Sequence, residues 1–276
     1  MSFFESSSHY YLLEGDGSIK SAYDYGLAEA RASGAYPSIT TVLKERANPA
    51  LDRWKYGQLF DTMVNNPYNP LEDLEAYKKY IMDLSSKKGT DAASFGTRLH
   101  DALDIFPQIT IDQELAPYVN AFAPEYHKMV TARVESEIML ADPDTGVAGR
   151  TDLIAETKDY GLAVIDYKTS SFKNGKASFW DSYVIQLAFY AKCYQQMKGL
   201  KKAPRIINCG INSAQPMAPQ WKVYSVDEQE RAYKQFLCIA YLWFSSKNYW
   251  PMTNKIWKKE VNTYNKAREA KLKKKG

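Results

Sequence analysis

Cysteine and long apolar runs are the scarce features of this sequence, and each scarcity excludes a class of protein. The three cysteines, Cys193, Cys209 and Cys238, are odd in number, widely spaced and set in apolar or mixed segments, so packed free thiols are expected. They lack the C-x-x-C spacing of a zinc ribbon and are too few for a four-thiolate iron–sulfur cluster. No apolar run is long enough to span a bilayer, and the first residues carry neither a basic n-region nor an Arg-rich presequence. A cytoplasmic location, in a bacterial or phage-infected cell, is expected, with no membrane partner and no secretion or mitochondrial signal.

Net positive charge is also lacking, except at one end. The formal net charge is +4, yet residues 255–276 hold nine Lys/Arg against two Asp/Glu, net +7, which leaves −3 on residues 1–254. Such a segment either strengthens nucleic-acid binding by neutralising phosphates or is a solvated, frayed end, and composition leaves both readings open. The whole chain has 45% hydrophobic residues over 276, ample for a large core. Three regions are expected: an N-terminal arm and helical region over 1–89, a core over 90–250 and a basic tail over 251–276.

In chain order, Glu14-Gly15-Asp16-Gly17 suits a small hairpin or a partly ordered arm. Pro37 and Ser38 precede an apolar run as at a helix start, and helix continues through Leu51 to Trp54. Asn65–Pro70 reads as a loop flanked by helices. After Gly89, Thr90 or Asp91 is expected to cap a helix whose stripe is Phe95, Leu99, Ala102 and Leu103, with His100 off that stripe and one turn beyond Gly96-Thr97. Residues 131–140 alternate as a strand, and 142–146 read as a turn. Residues 178–197 read as a helix buried through Tyr183, Val184, Leu187, Ala188, Ala191 and Tyr194, closed by Gly199, with Gln186 and Tyr190 one turn apart. Strands are expected over 205–211 and 221–226. A capping box at Ser225/Glu228 opens a final helix to about Phe244.

The chemistry concentrates between Gly149 and Ser170. Two arms rich in β-branched and aromatic residues flank a turn at Thr157–Gly161, a β-hairpin pattern. Asp166 and Lys168 share one face of the second arm, and a turn centred near Asp159 sets Asp152 opposite Asp166. Opposed like charges destabilise a strand pair, so a hard cation such as Mg2+ is the simplest reason for them. With an ammonium alongside, the set suits phosphodiester hydrolysis. The strand before it is less certain in register: pairing about residue 144 places Ser136 opposite Asp152, and a one-residue shift brings Glu135 or Glu137 to that face. Arg150 is a candidate for neutralising a neighbouring phosphate and equally a solubilising surface residue.

Five motifs in order, Gly96-Thr-Arg-Leu-His100, Glu135-Ser-Glu137, Gly149-Arg-Thr-Asp152, Asp166-Tyr-Lys168 and Gln186-Leu-Ala-Phe-Tyr190, make the chain resemble the PD-(D/E)xK nuclease superfamily, specifically its RecB-like exonuclease branch. Residues 36–43 and Leu51-Asp-Arg-Trp54 further resemble the N-terminal part of the mitochondrial genome maintenance exonuclease and related phage proteins. The resemblance implies an α/β restriction-endonuclease-like core, a mixed central sheet flanked by helices. It implies His100, Asp152, Asp166 and the Tyr167 carbonyl as ligands of Mg2+ or Mn2+. It makes Lys168 the residue that orients or deprotonates water, Glu135 (or Glu137) an added acid, and Gln186 and Tyr190 supports. Arg98, Trp54, Thr169 and Ser170 join Arg150 as expected nucleic-acid contacts. Thr151 before Asp152 relaxes the superfamily's P-D element. The expected activity is a metal-dependent DNA exonuclease on single strands or free ends, with replication or recombination proteins as partners. A structure-specific endonuclease and a silent nucleic-acid-binding subunit are the alternatives.

Overall fold

The computed structural model describes residues 9–22, 24–47, 49–71, 73–106, 112–252 and 255–273. Its contacts divide the chain into a smaller unit, Arg46–Leu115, and a larger one, Ser7–Glu45 with Ala116–Gly276.

The larger unit opens with β1 (Tyr10–Leu13) and β2 (Ile19–Ala22), an antiparallel pair with Tyr10 opposite Ala22. The turn falls on Glu14–Gly17, as expected. Gly17 adopts φ 85°, its N–H donates to the Glu14 carbonyl at 2.9 Å, and the Ser18 N–H donates to Asp16 Oδ1 at 2.9 Å. Helix α1 (Leu27–Ser33) stops at Gly34 in the left-handed region. Strand β3 (Tyr36–Pro37) adds to β1, and α2 (Ile39–Leu43) follows. Ser38 caps α2 by accepting the Thr41 N–H at 3.0 Å, and it also bridges to Ala148, which fixes this segment against the main sheet.

The smaller unit consists of α3 (Pro49–Asn65) and α4 (Leu74–Asp104), separated by the expected loop. A helix start after Gly89 is not found. Asp73 caps α4 by accepting the Ala76 N–H at 2.7 Å, and α4 then runs unbroken through Gly89, while Thr90 Oγ1 donates back to the Ser86 carbonyl at 3.3 Å. One interior glycine costs only about 1 kcal/mol, too little to stop a helix that is capped further upstream. Of the expected stripe, Leu99, Ala102 and Leu103 are buried and Phe95 is half-buried.

Back in the larger unit, α5 (Ala116–Met129) leads to β4 (Val130–Asp142), β5 (Val147–Thr157) and β6 (Gly161–Ser170). Then come α6 (Asp181–Met197), β7 (Arg205–Asn212), β8 (Gln220–Val223), α7 (Val226–Lys247) and α8 (Lys258–Lys273). The five strands lie in the order β4-β5-β6-β7-β8, with β6 and β7 parallel and the other neighbours antiparallel. This is the mixed sheet flanked by helices that the sequence implied. The capping box at Ser225/Glu228 is present, but α7 is not the last helix. α8 follows it and docks through Val261, which is fully buried, so much of the basic segment is ordered helix rather than a frayed end. Among the described residues no helix is long and apolar enough to cross a membrane.

Helix α6 departs from the one-sided pattern expected of it. Ile185 through Ala191 are all buried, because the sheet covers one side and α7 the other; Phe189 meets Phe236 with ring centroids 4.8 Å apart. The core includes Ile154, Val164, Ile206 and Phe244, and the Tyr249 hydroxyl ties it to the N-terminal segment, 2.7 Å from the carbonyls of both Ala30 and Ala35. Cys193 and Cys209 are packed free thiols as expected, whereas Cys238 is exposed.

Gly149 of β5 has no side chain because there is no room for one. A Cβ there would lie 2.7 Å from Tyr190 Cε1 and 3.0 Å from Ile39 Cγ2. Gly149→Ala is therefore expected to destabilise the fold by about 1–3 kcal/mol through overpacking, measured by urea denaturation.

Candidate active site

The site is built here from the larger unit alone. β5 and β6 pair from Thr157↔Gly161 to Leu153↔Ile165. The same register sets Asp152 level with Asp166, the juxtaposition expected from the sequence. There the ladder ends, and Asp152 Oδ2 accepts the Tyr167 N–H at 2.6 Å. A short acidic side chain in this position competes with the strand backbone for its own donors. β6 stays in place because its other edge remains paired with β7, with Asp166 beside Asn208 and Lys168 beside Gly210.

Lys168 Nζ stands 2.6 Å from Asp166 Oδ2, donates to Gln186 Oε1 at 3.1 Å and lies 5.0 Å from the Tyr183 ring centroid. Gln186 Nε2 in turn donates to the Tyr190 hydroxyl at 3.0 Å. The Gln/Tyr pair is thus joined to the lysine by a chain of two hydrogen bonds. Asp166 has a further support: Asn208 Nδ2 donates to Asp166 Oδ2 at 3.1 Å, and the Tyr224 hydroxyl donates to Asn208 Oδ1 at 2.9 Å. Lys168 and Asn208 both reach Oδ2, which leaves Oδ1 as the oxygen available to a cation. Sequence reading passed over Asn208 and Tyr224. Asn208 was detectable as a polar residue inside the apolar run Ile206-Ile207-Asn208-Cys209, where a buried amide requires a partner.

The electrostatics follow from two acids and one ammonium held together. Burial, then the charge of Asp166, pushes the Asp152 carboxyl up to about 7, against the pull of Lys168. Burial alone would lower the Lys168 pKa, but Asp166 and Asp152 outweigh it and raise it, so the side chain is held as an ammonium. Burial, with Asp166 next, raises the Tyr190 hydroxyl well above its usual range and keeps it neutral.

Other expected residues are placed differently. The β4–β5 register is one residue away from the simple estimate. Ser136 faces Leu153 rather than Asp152, because the turn holds four residues, Pro143–Gly146, with Gly146 at φ 66° donating to the Asp142 carbonyl at 2.7 Å. This brings Glu137 level with Asp152, but Glu137 is absent from the pairing, takes φ 49° and forms an ion pair with Arg150 Nε at 2.7 Å. Glu135 is tied to the far end of α6, accepting from Tyr194 Oη at 3.2 Å and lying 2.6 Å from Lys198 Nζ. Gln186 and Tyr194 are roughly 12 Å apart along the helix, so Glu135 does not join Lys168. Thr169 and Ser170 continue β6, half-buried, directly beyond Lys168. His100, Arg98 and Trp54 belong to the smaller unit. There Arg98 is held by Asp112 at 3.0 Å and Glu114 at 2.7 Å, and Trp54 is half-exposed. Among the described residues no three His, Cys, Asp or Glu side chains gather closely enough to hold a metal ion by themselves.

A mixed sheet with D-x-K on its central strand, an opposed aspartate and helices on its faces defines a nuclease-type core. The chain belongs to the PD-(D/E)XK nuclease superfamily, whose sequence model matches residues 40–240. No curated protein matches it. Among solved structures it is similar to the crystal structure of SSO0001, at 16% identity and a TM-score of 0.33, over 70% of this chain and 84% of that one. It is also similar to a protein from Eubacterium rectale described as "Putative exonuclease", at 10% identity and a TM-score of 0.42, over 81% of this chain and 86% of that one. Likeness at this level adds nothing on substrate.

Nucleases of the superfamily generally use divalent metal ions such as Mg2+. The residues here fit such an ion: two carboxylates stand with one ammonium, burial and then Asp166 raise the Asp152 carboxyl, and Mg2+ needs only one or two protein carboxylates because it retains several waters.

Two outcomes follow for the metal-free protein. Since the folded pKa of Asp152 lies above its unfolded value of 3.8, its contribution to stability is full below about pH 4 and is lost as pH rises through 7. Chemical denaturation in EDTA should therefore show stability falling by up to about 4 kcal/mol across that window, and Asp152→Asn should flatten the slope. Asn208→Leu should weaken Mn2+ binding about tenfold while Asn208→Asp does not restore it, since only an amide donates to Asp166 while accepting from Tyr224.

Proposed function

We propose that this protein is a Mg2+- or Mn2+-dependent deoxyribonuclease that hydrolyses phosphodiester bonds as an exonuclease, acting on single-stranded DNA or free DNA ends in replication, recombination or repair. The observation that carries the hydrolytic reading is the convergence of Asp152, Asp166 and Lys168 where β5 leaves β6. The exonuclease mode and the preference for DNA rest on the resemblance of the five motifs to the RecB-like branch.

In this reading Asp152 and Asp166 hold the ion, with the Tyr167 carbonyl as a third oxygen. When bound, the ion polarises the phosphodiester and stabilises charge on the leaving oxygen. Lys168, kept protonated by the two acids, donates to the scissile phosphate and orients the attacking water. Gln186, anchored on Tyr190, fixes the lysine against Asp166, and Asn208 holds the Asp166 carboxylate through the same Oδ2 that faces the lysine. Thr169 and Ser170 present hydroxyls to the next phosphate, and Arg150 is available once a phosphate displaces Glu137. For His100, Arg98 and Trp54 the proposal rests on the motifs alone.

Asp166→Asn and Lys168→Ala should each reduce Mg2+-dependent cleavage of labelled single-stranded DNA by about 100- to 1,000-fold, with unchanged circular dichroism. A covalently closed single-stranded circle should survive incubation that degrades the linear form. Cutting of the circle would point to an endonuclease, and undiminished activity of either variant would end the assignment.

A further inference from the structure

The ordered basic helix α8 plays no part in the site so far described. Its sixteen residues carry six Lys/Arg and two Glu, whereas residues 1–254 carry a net charge of −3. One side docks: Val261 is fully buried, Trp257 lies 5.9 Å from Phe244 and from Trp250 between ring centroids, and Tyr264 lies 6.2 Å from Tyr249. Trp257, Val261 and Tyr264 are spaced i, i+4 and i+7, a single stripe.

The opposite side is basic and in register with itself. Lys259, Lys266 and Lys273 follow one another at seven-residue intervals, nearly two full turns, so they lie in a row with roughly 10 Å between neighbours. Each residue advances the helix by roughly 100°, which puts Lys259 and Lys266 roughly 200° from the docked positions Val261 and Tyr264. All three lysines are exposed. Glu260 is drawn toward the body of the protein, accepting from the Tyr241 hydroxyl at 3.3 Å, and Glu269 is the one acid beside the row, within a turn of Lys266 and Lys273. Three lysines against one acid leave this face net positive.

The helix is also anchored near the right strand. The segment before it reaches the β4–β5 turn: Lys255 pairs with Asp144 at 3.0 Å, and Met252 packs against Gly146. From Val147 the strand β5 runs on through Arg150 to Asp152, roughly 17 Å away.

We propose that the exposed face of α8, through Lys259, Lys266 and Lys273, is a second nucleic-acid contact that holds the phosphate backbone of the strand being cleaved, beyond the reach of the active site. The inference rests on the nuclease reading above. Its occupant is a polynucleotide because a row of ammonium groups on an otherwise acidic body complements a regularly charged polyanion.

The test uses full-length protein carrying Asp166→Asn, so that bound DNA persists. A long fluorescein-labelled single-stranded oligonucleotide is titrated at several KCl concentrations, with and without Lys259→Gln/Lys266→Gln/Lys273→Gln. Loss of three phosphate contacts should reduce the slope of log K against log salt by roughly 2, since each contact contributes about 0.7 on a single strand. The control Lys201→Gln/Lys202→Gln, in an exposed turn, should leave the slope unchanged. With Asp166 intact, the triple variant should hydrolyse a chromogenic single-phosphodiester substrate, too small to touch α8, at the parent rate. A slope insensitive to the triple change, or equally sensitive to the control, would overturn the second contact while cleavage by the parent left the nuclease reading standing. A parent that neither binds nor cleaves would overturn both.

Discussion

The structure depends on one departure from regular pairing, the point where β5 parts from β6 and the Asp152 carboxylate takes the Tyr167 N–H. Had the ladder continued, the strand backbones would satisfy one another. Instead β6 keeps its shape through its parallel bonds to β7, and β5 contributes a side chain in place of a carbonyl. The result is a rigid support for charges that repel one another. Buried like charges are costly, and this fold retains a pair of them with a single ammonium between.

Around that point the packing fixes orientation more than it adds stability. The row Gln186, Tyr190, Tyr194 and Lys198 runs along one face of α6, touching Lys168 at one end and Glu135 at the other. The helix can lie so close to the sheet because Gly149 has no side chain beneath Tyr190. On the neighbouring strand β7 Asn208 donates to Asp166 and is itself held by Tyr224, just past β8, so Lys168 and Asp166 are each held by groups that do not themselves react. Preorganisation of this kind is what makes charge stabilisation effective in a low-dielectric site.

Much of this was legible in the sequence where local rules govern. The β5–β6 register was correct because period-two alternation and a short polar turn leave little freedom, and Gln186 and Tyr190 lie together because i and i+4 must. The misses arose where distant packing decides. The β4–β5 register depended on a four-residue turn and on Glu137 taking a positive φ, which no glycine or asparagine announces. α4 begins at Leu74 because Asp73 caps it, so Gly89 is only an interior residue. α6 is covered on both faces, a fact of tertiary arrangement that a one-sided periodicity cannot reveal, and α8 is ordered because Val261, Trp257 and Tyr264 find a surface waiting for them.

The central claim is that the Asp152/Asp166 pair is built for a divalent cation, and calorimetric titration of the metal-free protein with Mn2+ near pH 7, in buffers of different ionisation heat, tests it most directly. An Asp152 carboxyl that titrates at about 7 must release its proton when an ion binds, so the account predicts binding accompanied by proton release, both lost in Asp152→Asn. Binding of equal strength with no proton release, or binding indifferent to that substitution, would contradict it.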